Sequence, residues 1–191
     1  MKKDIAEIGG IGNVESFIKL LEVLAAQGGQ LVNTNELAAT CKLARANVEK
    51  YLFILEETYI IKLVRPYSGN IRSEISKMPK VFFYDTGIMQ MLWLKSLQKE
   101  IIGNVFETSI FAELAKARGR QNIYYWRTKD KKEIDFIVKD KNTILPIEAK
   151  LNFSRADLTP INYFSEHYKP EKYIIVGFDG KKTQKEHRYP W

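Results

Sequence analysis

Cysteine is nearly absent: Cys41 is the single one in 191 residues. No internal disulfide can form, and one thiol cannot build a cysteine-based metal site. Only two histidines occur, His167 and His187, without the spacing of a zinc-ligand pair. No apolar run approaches the ~18–20 residues needed to cross a bilayer, so no membrane contact is expected. Residues 1–10 are charged and lack the apolar stretch of a signal peptide. Together these absences predict a cytoplasmic protein. No G-x-x-x-x-G-K-[ST] loop occurs either. The glycines at 9, 10 and 12 lack the lysine and the preceding apolar strand. The chain is therefore not expected to hydrolyse ATP by itself.

Apolar residues are plentiful, at 45%, which is enough for a packed core. The net charge is +7, and it is uneven. Residues 1–100 hold 13 Lys and Arg against 11 Asp and Glu, whereas residues 101–191 hold 17 against 12. A basic second half favours polyanionic partners, nucleic acid first.

The first half reads as helices. Residues 14–26 place Phe17, Leu20, Leu21 and Leu24 on one face. Gly28 and Gly29 end that helix, and Asn33 or Thr34 caps a short one over 36–40. A third helix spans 44–57, with Val48, Tyr51, Leu52 and Leu55 as its buried stripe. Two strand-like runs follow, 60–66 and 81–84, around the polar loop 67–80. This order, carried by "NTNELAATCKLARANVEKYLFILEETYII", resembles a winged helix-turn-helix. The third helix is a poor surface for phosphates, since Arg45 and Lys50 face Glu49, Glu56 and Glu57. The hairpin is better, with Lys62, Arg65, Arg72, Lys77 and Lys80 against Glu74. Protein–protein packing is the alternative use of such a domain. Asp85 or Thr86 then caps a helix over 88–97, with Ile88, Met91 and Leu92 expected in the core.

The second half alternates. A helix over 103–119 should bury Phe106, Ile110, Phe111 and Leu114. Strands follow at 122–127, 133–138 and 143–151, then a helix at 155–167 and a strand at 172–178. The polar tail 179–191 is expected to be peripheral. Side chains alternate along strands, so Ile134, Phe136 and Val138 should share one face, and Glu133, Asp135 and Ile137 the other. On the next strand Pro146, Glu148 and Lys150 share a face. If these strands pair, Asp135 comes close to Glu148 and Lys150. Two carboxylates can hold Mg²⁺, or Mn²⁺, and a lysine can orient water and offset charge on phosphate.

Asp135, a turn, then Glu148-Ala149-Lys150 is similar to the motif of the PD-(D/E)XK nuclease superfamily, which includes restriction endonucleases and Holliday-junction resolvases. The order helix, three strands, helix, strand also matches that superfamily. Ile134 stands where a proline often precedes the aspartate. The resemblance implies Asp135 and Glu148 as metal ligands, Lys150 as a catalytic residue and Glu107 as an auxiliary one. Beside that site, Arg127, Lys129 and Lys131 are candidates for nucleic-acid contact, as are Arg65 and Arg72 in the hairpin. Tyr125 reads as core, and Trp126 as core or as a base-stacking ring. Nearly end to end, through "LEETYIIKLVRPY", "PKVFFYDTGI", "GNVFETSIFAEL", "YYWRTKDKKEIDFIV" and "PIEAK", the chain resembles the C-terminal half of a prokaryotic AAA-type ATPase family, catalogued as domain of unknown function 4143. That implies an ATPase domain as partner, in cis or in trans.

The expected architecture is therefore α/β (α+β). Residues 1–85 form a winged helix, 86–102 a connecting helix, and 103–191 a restriction-endonuclease-like mixed sheet flanked by helices. The expected function is Mg²⁺-dependent cleavage of DNA. The alternative is a non-catalytic module that binds nucleic acid or protein for the ATPase.

Overall fold

Asn13 opens the first helix by accepting the N–H of Ser16 on its side chain at 3.0 Å. In the computed structural model, which describes residues 12–67, 78–141, 143–153, 156–180 and 186–189, that helix is α1, Val14–Ala26. The glycine run at 9–10, the hairpin residues Arg72, Glu74 and Lys77, and Arg155 at the expected start of the last helix lie outside the described residues. The described chain divides into two compact units. One holds residues up to Leu63 together with Met78–Glu100, and the other holds Val64–Tyr67 and the residues from Ile101 onward.

In the first unit, α2 (Thr34–Cys41) is capped by Asn33, and α3 (Arg45–Glu57) buries Val48, Tyr51, Leu52 and Leu55, the predicted stripe. The Phe17 and Tyr51 rings meet edge to face at 5.2 Å and join α1 to α3. β1 (Ile61–Val64) pairs with β2 (Lys80–Phe83). A third stretch escaped the sequence reading. Gly29 N–H donates to Val81 O at 2.8 Å and Val32 N–H to Pro79 O at 2.9 Å, so residues 29–32 run along β2. Gly29 has φ 76, a conformation that glycine adopts without penalty.

The helix after β2 is α4, Thr86–Leu94, capped by Asp85 through the N–H of Ile88. Of its predicted core residues, Leu92 is half-buried but Ile88 and Met91 are not. Met89 is buried, whereas Ile88 is 51% and Met91 50% exposed. The helical period was right, but the phase is set by Gly28: a Cβ there would lie 2.2 Å from the Met89 methyl, so the absent side chain lets Met89 seat against the end of α1.

The second unit begins with α5 (Gly103–Arg118), which buries Phe106, Ile110 and Phe111; Leu114 is half-buried. Then come β3 (Ile123–Arg127), β4 (Glu133–Asp140), β5 (Thr143–Asn152), α6 (Thr159–Tyr168) and β6 (Ile174–Asp179). The order helix, three strands, helix, strand is the one expected. The strands form a five-stranded mixed sheet in chain order, antiparallel through β5 and parallel beyond it, with α6 as the crossover from β5 to β6. Residues 65–67 dock on the outer edge of β3: Tyr125 N–H donates to Arg65 O at 3.1 Å, and Tyr67 N–H to Tyr125 O at 2.6 Å.

The tail is not peripheral. His187–Arg188 form β7, parallel to β6. His187 is buried and stacks on Phe153 at 4.5 Å, and Tyr189 donates its hydroxyl to Gly180 O at 3.0 Å. Polar composition hid this strand, because a buried imidazole on an aromatic ring packs as an aromatic does. Trp126, Ile134, Ile137, Phe153, Ile161, Phe164 and Ile175 make one apolar cluster on the α6 side of the sheet. Each such large side chain, once buried, contributes about 1.5–3 kcal/mol.

Gly177 of β6 tests that packing. A Cβ there would lie 2.6 Å from the Phe153 ring, which cannot fold aside as the Met89 thioether can. Gly177→Ala should lose about 1–3 kcal/mol in urea unfolding, and Gly28→Ala distinctly less. Equal losses would overturn this account.

Candidate active site

β3 and β4 pair at Tyr124 with Ile137 and at Trp126 with Ile134. Between these pairs β3 has one residue, Tyr125, and β4 has two, Asp135 and Phe136. β4 therefore carries a β-bulge at Asp135. Strict alternation fails at this point. Ile134 and Ile137 both lie in the α6-side cluster, whereas alternation predicts Ile134 on the face of Phe136 and Val138. The bulge also re-aims Asp135. The β4–β5 pairing runs from Asp140 with Thr143 to Phe136 with Ile147. Where the next step would fall, the Asp135 carboxylate accepts the N–H of Ala149 at 2.9 Å. A side-chain oxygen thus accepts where a ladder carbonyl would otherwise be needed.

This turn of the carboxylate brings the predicted group together. Lys150 Nζ lies 2.6 Å from Glu148 Oε1 and 3.8 Å from Asp135 Oδ2. Asp135 and Glu148 are buried, Glu148 to 5% exposure, and Lys150 is partly exposed. Burial first, then the charge of Asp135, push the Glu148 carboxyl from an ordinary 4.5 up to about 7, although Lys150 counteracts part of this. For Lys150, burial pulls the other way. The charges of Asp135 and Glu148, the hydrogen bond to Glu148 and the charge of Glu107 together outweigh it and raise the ammonium.

Glu148 Oε2 is buried and has no hydrogen-bond partner among the described residues. An orphaned carboxylate oxygen beside a second carboxylate is a fitting donor set for a hard cation. Among the described residues, no three Asp, Glu, His or Cys side chains group closely enough to hold an ion. Asp135 and Glu148 are thus a two-carboxylate pair, a number that suits Mg²⁺ with its retained waters. Glu107, on α5, acts on Lys150 through its charge. Asp157 went unnoticed in the sequence. It accepts the Thr159 N–H at 2.9 Å at the start of α6, and hydrogen bonds from Thr159, helped by the charge of Lys150, hold its carboxyl low. Its only sequence signal was that of a helix-start residue.

The basic candidates fare unequally. Arg127 is held by Glu133, its partner across β3 and β4, at 2.9 Å. Lys129 and Lys131 are exposed in the β3–β4 turn. Arg65 is exposed, and Arg72 lies outside the described residues. In the first unit Lys62 is bonded to Glu56 at 2.7 Å and Lys80 is buried, so neither supplies the exposed charge expected of a wing. Arg45 of α3 is bonded to Glu49 at 2.8 Å. Cys41 is buried, and burial raises its thiol, which fits packing rather than nucleophilic use. No described helix is long and apolar enough to cross a membrane.

Fold and site define a mixed α+β protein of two units, the second carrying a buried acidic pair with a lysine. Residues 1–100, just over half of the chain, match the family described as Domain of unknown function (DUF8612), and the chain belongs to that family. Residues 102–190 match the family described as Domain of unknown function (DUF4143). An uncharacterized protein of Mycobacterium tuberculosis is 26% identical over 144 residues, 73% of this chain and 33% of its own length. One from Mycobacterium bovis gives the same figures. An uncharacterized protein of Haemophilus influenzae is 24% identical over 195 residues, 95% of this chain and 45% of its own length. The chain therefore spans less than half the length of these curated relatives. No solved structure matches it.

The raised Glu148 pKa sets a pH dependence for the metal-free protein. Below pH 4.5 Glu148 is protonated whether folded or unfolded. Between 4.5 and about 7 the unfolded chain ionises it while the folded chain keeps the proton, so stability falls as pH rises, by up to about 3 kcal/mol, and then levels off. Glu148→Gln should flatten that slope in urea unfolding across pH 4–8; an unchanged slope would refute the assignment. Asp135→Ala should be less stable than Asp135→Asn by about 1–2 kcal/mol, because only asparagine keeps an acceptor for Ala149 N–H.

Proposed function

We propose that the second unit is a metal-dependent phosphodiesterase acting on nucleic acid, DNA first, and that the chain works with an AAA-type ATPase domain. The observation that carries this reading is the convergence of Asp135, Glu148 and Lys150 at the bulge, with Glu148 Oε2 buried and unpartnered. A buried face used only to bind polyanions gains nothing from paired carboxylates, which repel phosphate. The pairing with an ATPase domain rests on the resemblance of the sequence, and the greater length of the relatives is compatible with it.

Asp135 and Glu148 would hold Mg²⁺, with Mn²⁺ as a substitute. A cation there supplies Lewis acidity towards a phosphodiester and lowers the pKa of a bound water. Asp135 is kept in place by the Ala149 N–H, which holds its carboxylate 3.8 Å from Lys150 Nζ. Glu148 shares the proton equilibrium of its buried surroundings and must give that proton up to become a ligand. Lys150 keeps its charge throughout the neutral range. It can donate to the attacking water and offset charge gathering on the phosphate oxygens. Hydrolysis then consumes one water and leaves a phosphomonoester and a hydroxyl.

A second reading applies to the first unit. Of its basic side chains, Arg45 and Lys62 are bonded to Glu49 and Glu56 and Lys80 is buried, while Phe53 on α3 is 65% exposed. These observations favour protein contact over DNA contact for α3.

Linear duplex, single strands and a four-way junction should be incubated with Mg²⁺ or Mn²⁺. Wild-type protein should cut at least one, and Glu148→Gln and Lys150→Ala should each cut about 100-fold more slowly or worse. Mn²⁺ affinity, measured by calorimetry, should strengthen from pH 6 to 8 as Glu148 loses its proton. A wild type that cuts nothing, with nucleic-acid binding equal in the variants, would replace this reading by a non-catalytic binding module.

A further inference from the structure

α6 buries Ile161 and Phe164 but turns two other rings outward. Tyr163 and His167 stand one helical turn apart, and their rings stack at 4.4 Å with 23° between planes. His167 Nδ1 lies 2.8 Å from Tyr163 O. A carbonyl only accepts, so Nδ1 carries the hydrogen, and this bond holds the imidazole over the phenol ring. Beneath Tyr163 lies buried Trp126, at 5.9 Å and 34°. The three rings step from the core of the sheet to solvent, where Tyr163 is 37% exposed and His167 is also exposed.

A cation sits at this stack. Lys132 Nζ lies 4.9 Å from the centre of the Tyr163 ring. Lys132 closes the β3–β4 turn, where its N–H donates to Thr128 Oγ1 at 3.1 Å and Thr128 N–H donates to its carbonyl at 2.9 Å. Lys131, in the same turn, holds φ 64, and Lys129 and Lys131 both reach solvent. The turn leads straight into β4, so Lys132 stands three residues ahead of Asp135.

Tyr163 covers Trp126 and is itself covered by His167, so holding the two rings parallel leaves the outer face of His167, backed by Tyr163, for a third flat ring. Nucleobases offer such a ring only when unpaired and unstacked; a duplex shows its edges. Asp130 and Glu166, also exposed here, dilute the local positive charge, so ring contact has to supply more of the binding than phosphate contact. We propose that Tyr163 and His167, with Lys132 at the ring and Lys129 and Lys131 on the turn, form a stacking platform for unpaired bases of a single-stranded nucleic acid. This names the substrate class of the proposed site and rests on the nucleic-acid reading of the second unit, without requiring cleavage.

The test is anisotropy of labelled 20-residue oligonucleotides on the full chain, in chelator. The probes are oligothymidine, oligouridine, an oligothymidine with alternate abasic positions, and a blunt duplex. Either single strand should bind more tightly than the duplex and the abasic strand. Stacking on one ring is typically worth about 1–3 kcal/mol per base, so His167→Ala and Tyr163→Ala should each weaken single-strand binding by roughly 5- to 150-fold. Tyr163→Phe, which keeps the ring, should bind as wild type does. His167 is exposed, so its variant reports on binding even where Tyr163→Ala unfolds. Equal affinity for intact and abasic strands, or no change in His167→Ala, would overturn the platform. Cleavage without ring-dependent binding would sink the platform and leave the phosphodiesterase standing. Ring-dependent binding without cleavage would do the reverse.

Discussion

Two residues of β4 stand opposite one residue of β3, and the candidate site follows from that mismatch. A regular strand would send Asp135 to the face opposite Ile134. The extra residue lets Ile134 and Ile137 both enter the α6-side cluster and leaves Asp135 between two faces. From there its carboxylate reaches along the sheet and accepts the Ala149 N–H. One interaction thereby does two things. It satisfies a buried backbone donor where the β4–β5 pairing stops, and it fixes a carboxylate within reach of Lys150. Bulges are common beside functional sites for this reason: they trade one ladder bond for a new direction of a side chain.

The electrostatics follow from the same geometry. Asp135 accepts a backbone N–H, while Glu148 has both burial and the charge of Asp135 to contend with. Lys150 stands two residues along the same strand and relieves the pair only in part. The outcome is an acid poised near neutrality, with one oxygen bonded to an ammonium and the other to nothing among the described residues. In a purely structural ion pair both oxygens would be expected to find partners, since leaving one unmet costs about 1–3 kcal/mol. That unmet buried oxygen is the feature on which the proposed metal-binding reading rests.

Local signals in the sequence were strong enough to give the helices, the order of elements along the second unit and the convergence of Asp135, Glu148 and Lys150. α3 shows why: Val48, Tyr51, Leu52 and Leu55 sit at helical spacing, and nothing in the tertiary structure overrides them. The convergence of Asp135, Glu148 and Lys150 was legible because β4 and β5 are joined by a short turn, which leaves little freedom of register. What stayed illegible depends on distant partners. The phase of α4 is set by the space over Gly28, sixty residues away in sequence. β7 depends on Phe153 and on the open edge of β6. The bulge needs β3 as a template, since no residue of "EIDFIV" announces that its alternation will break. Charge counts misled for a related reason. They cannot show that Lys62 and Arg45 are bonded to acids or that Lys80 is buried.

The distribution of unpaired charge bears on how a substrate would be recognised. Of the basic residues nearest the site, Arg127 is bonded to Glu133, Lys150 is engaged by the acidic pair, and Lys132 lies over a ring. That leaves Lys129 and Lys131 on a turn that also carries Asp130. Among the described residues these few charges are sparse for holding a long duplex by its backbone, where several neutralised phosphates are needed for appreciable affinity. The same neighbourhood presents the rings of Tyr163 and His167 to solvent. On the proposed reading, a site with few such charges among the described residues but with exposed rings gains most from unpaired bases.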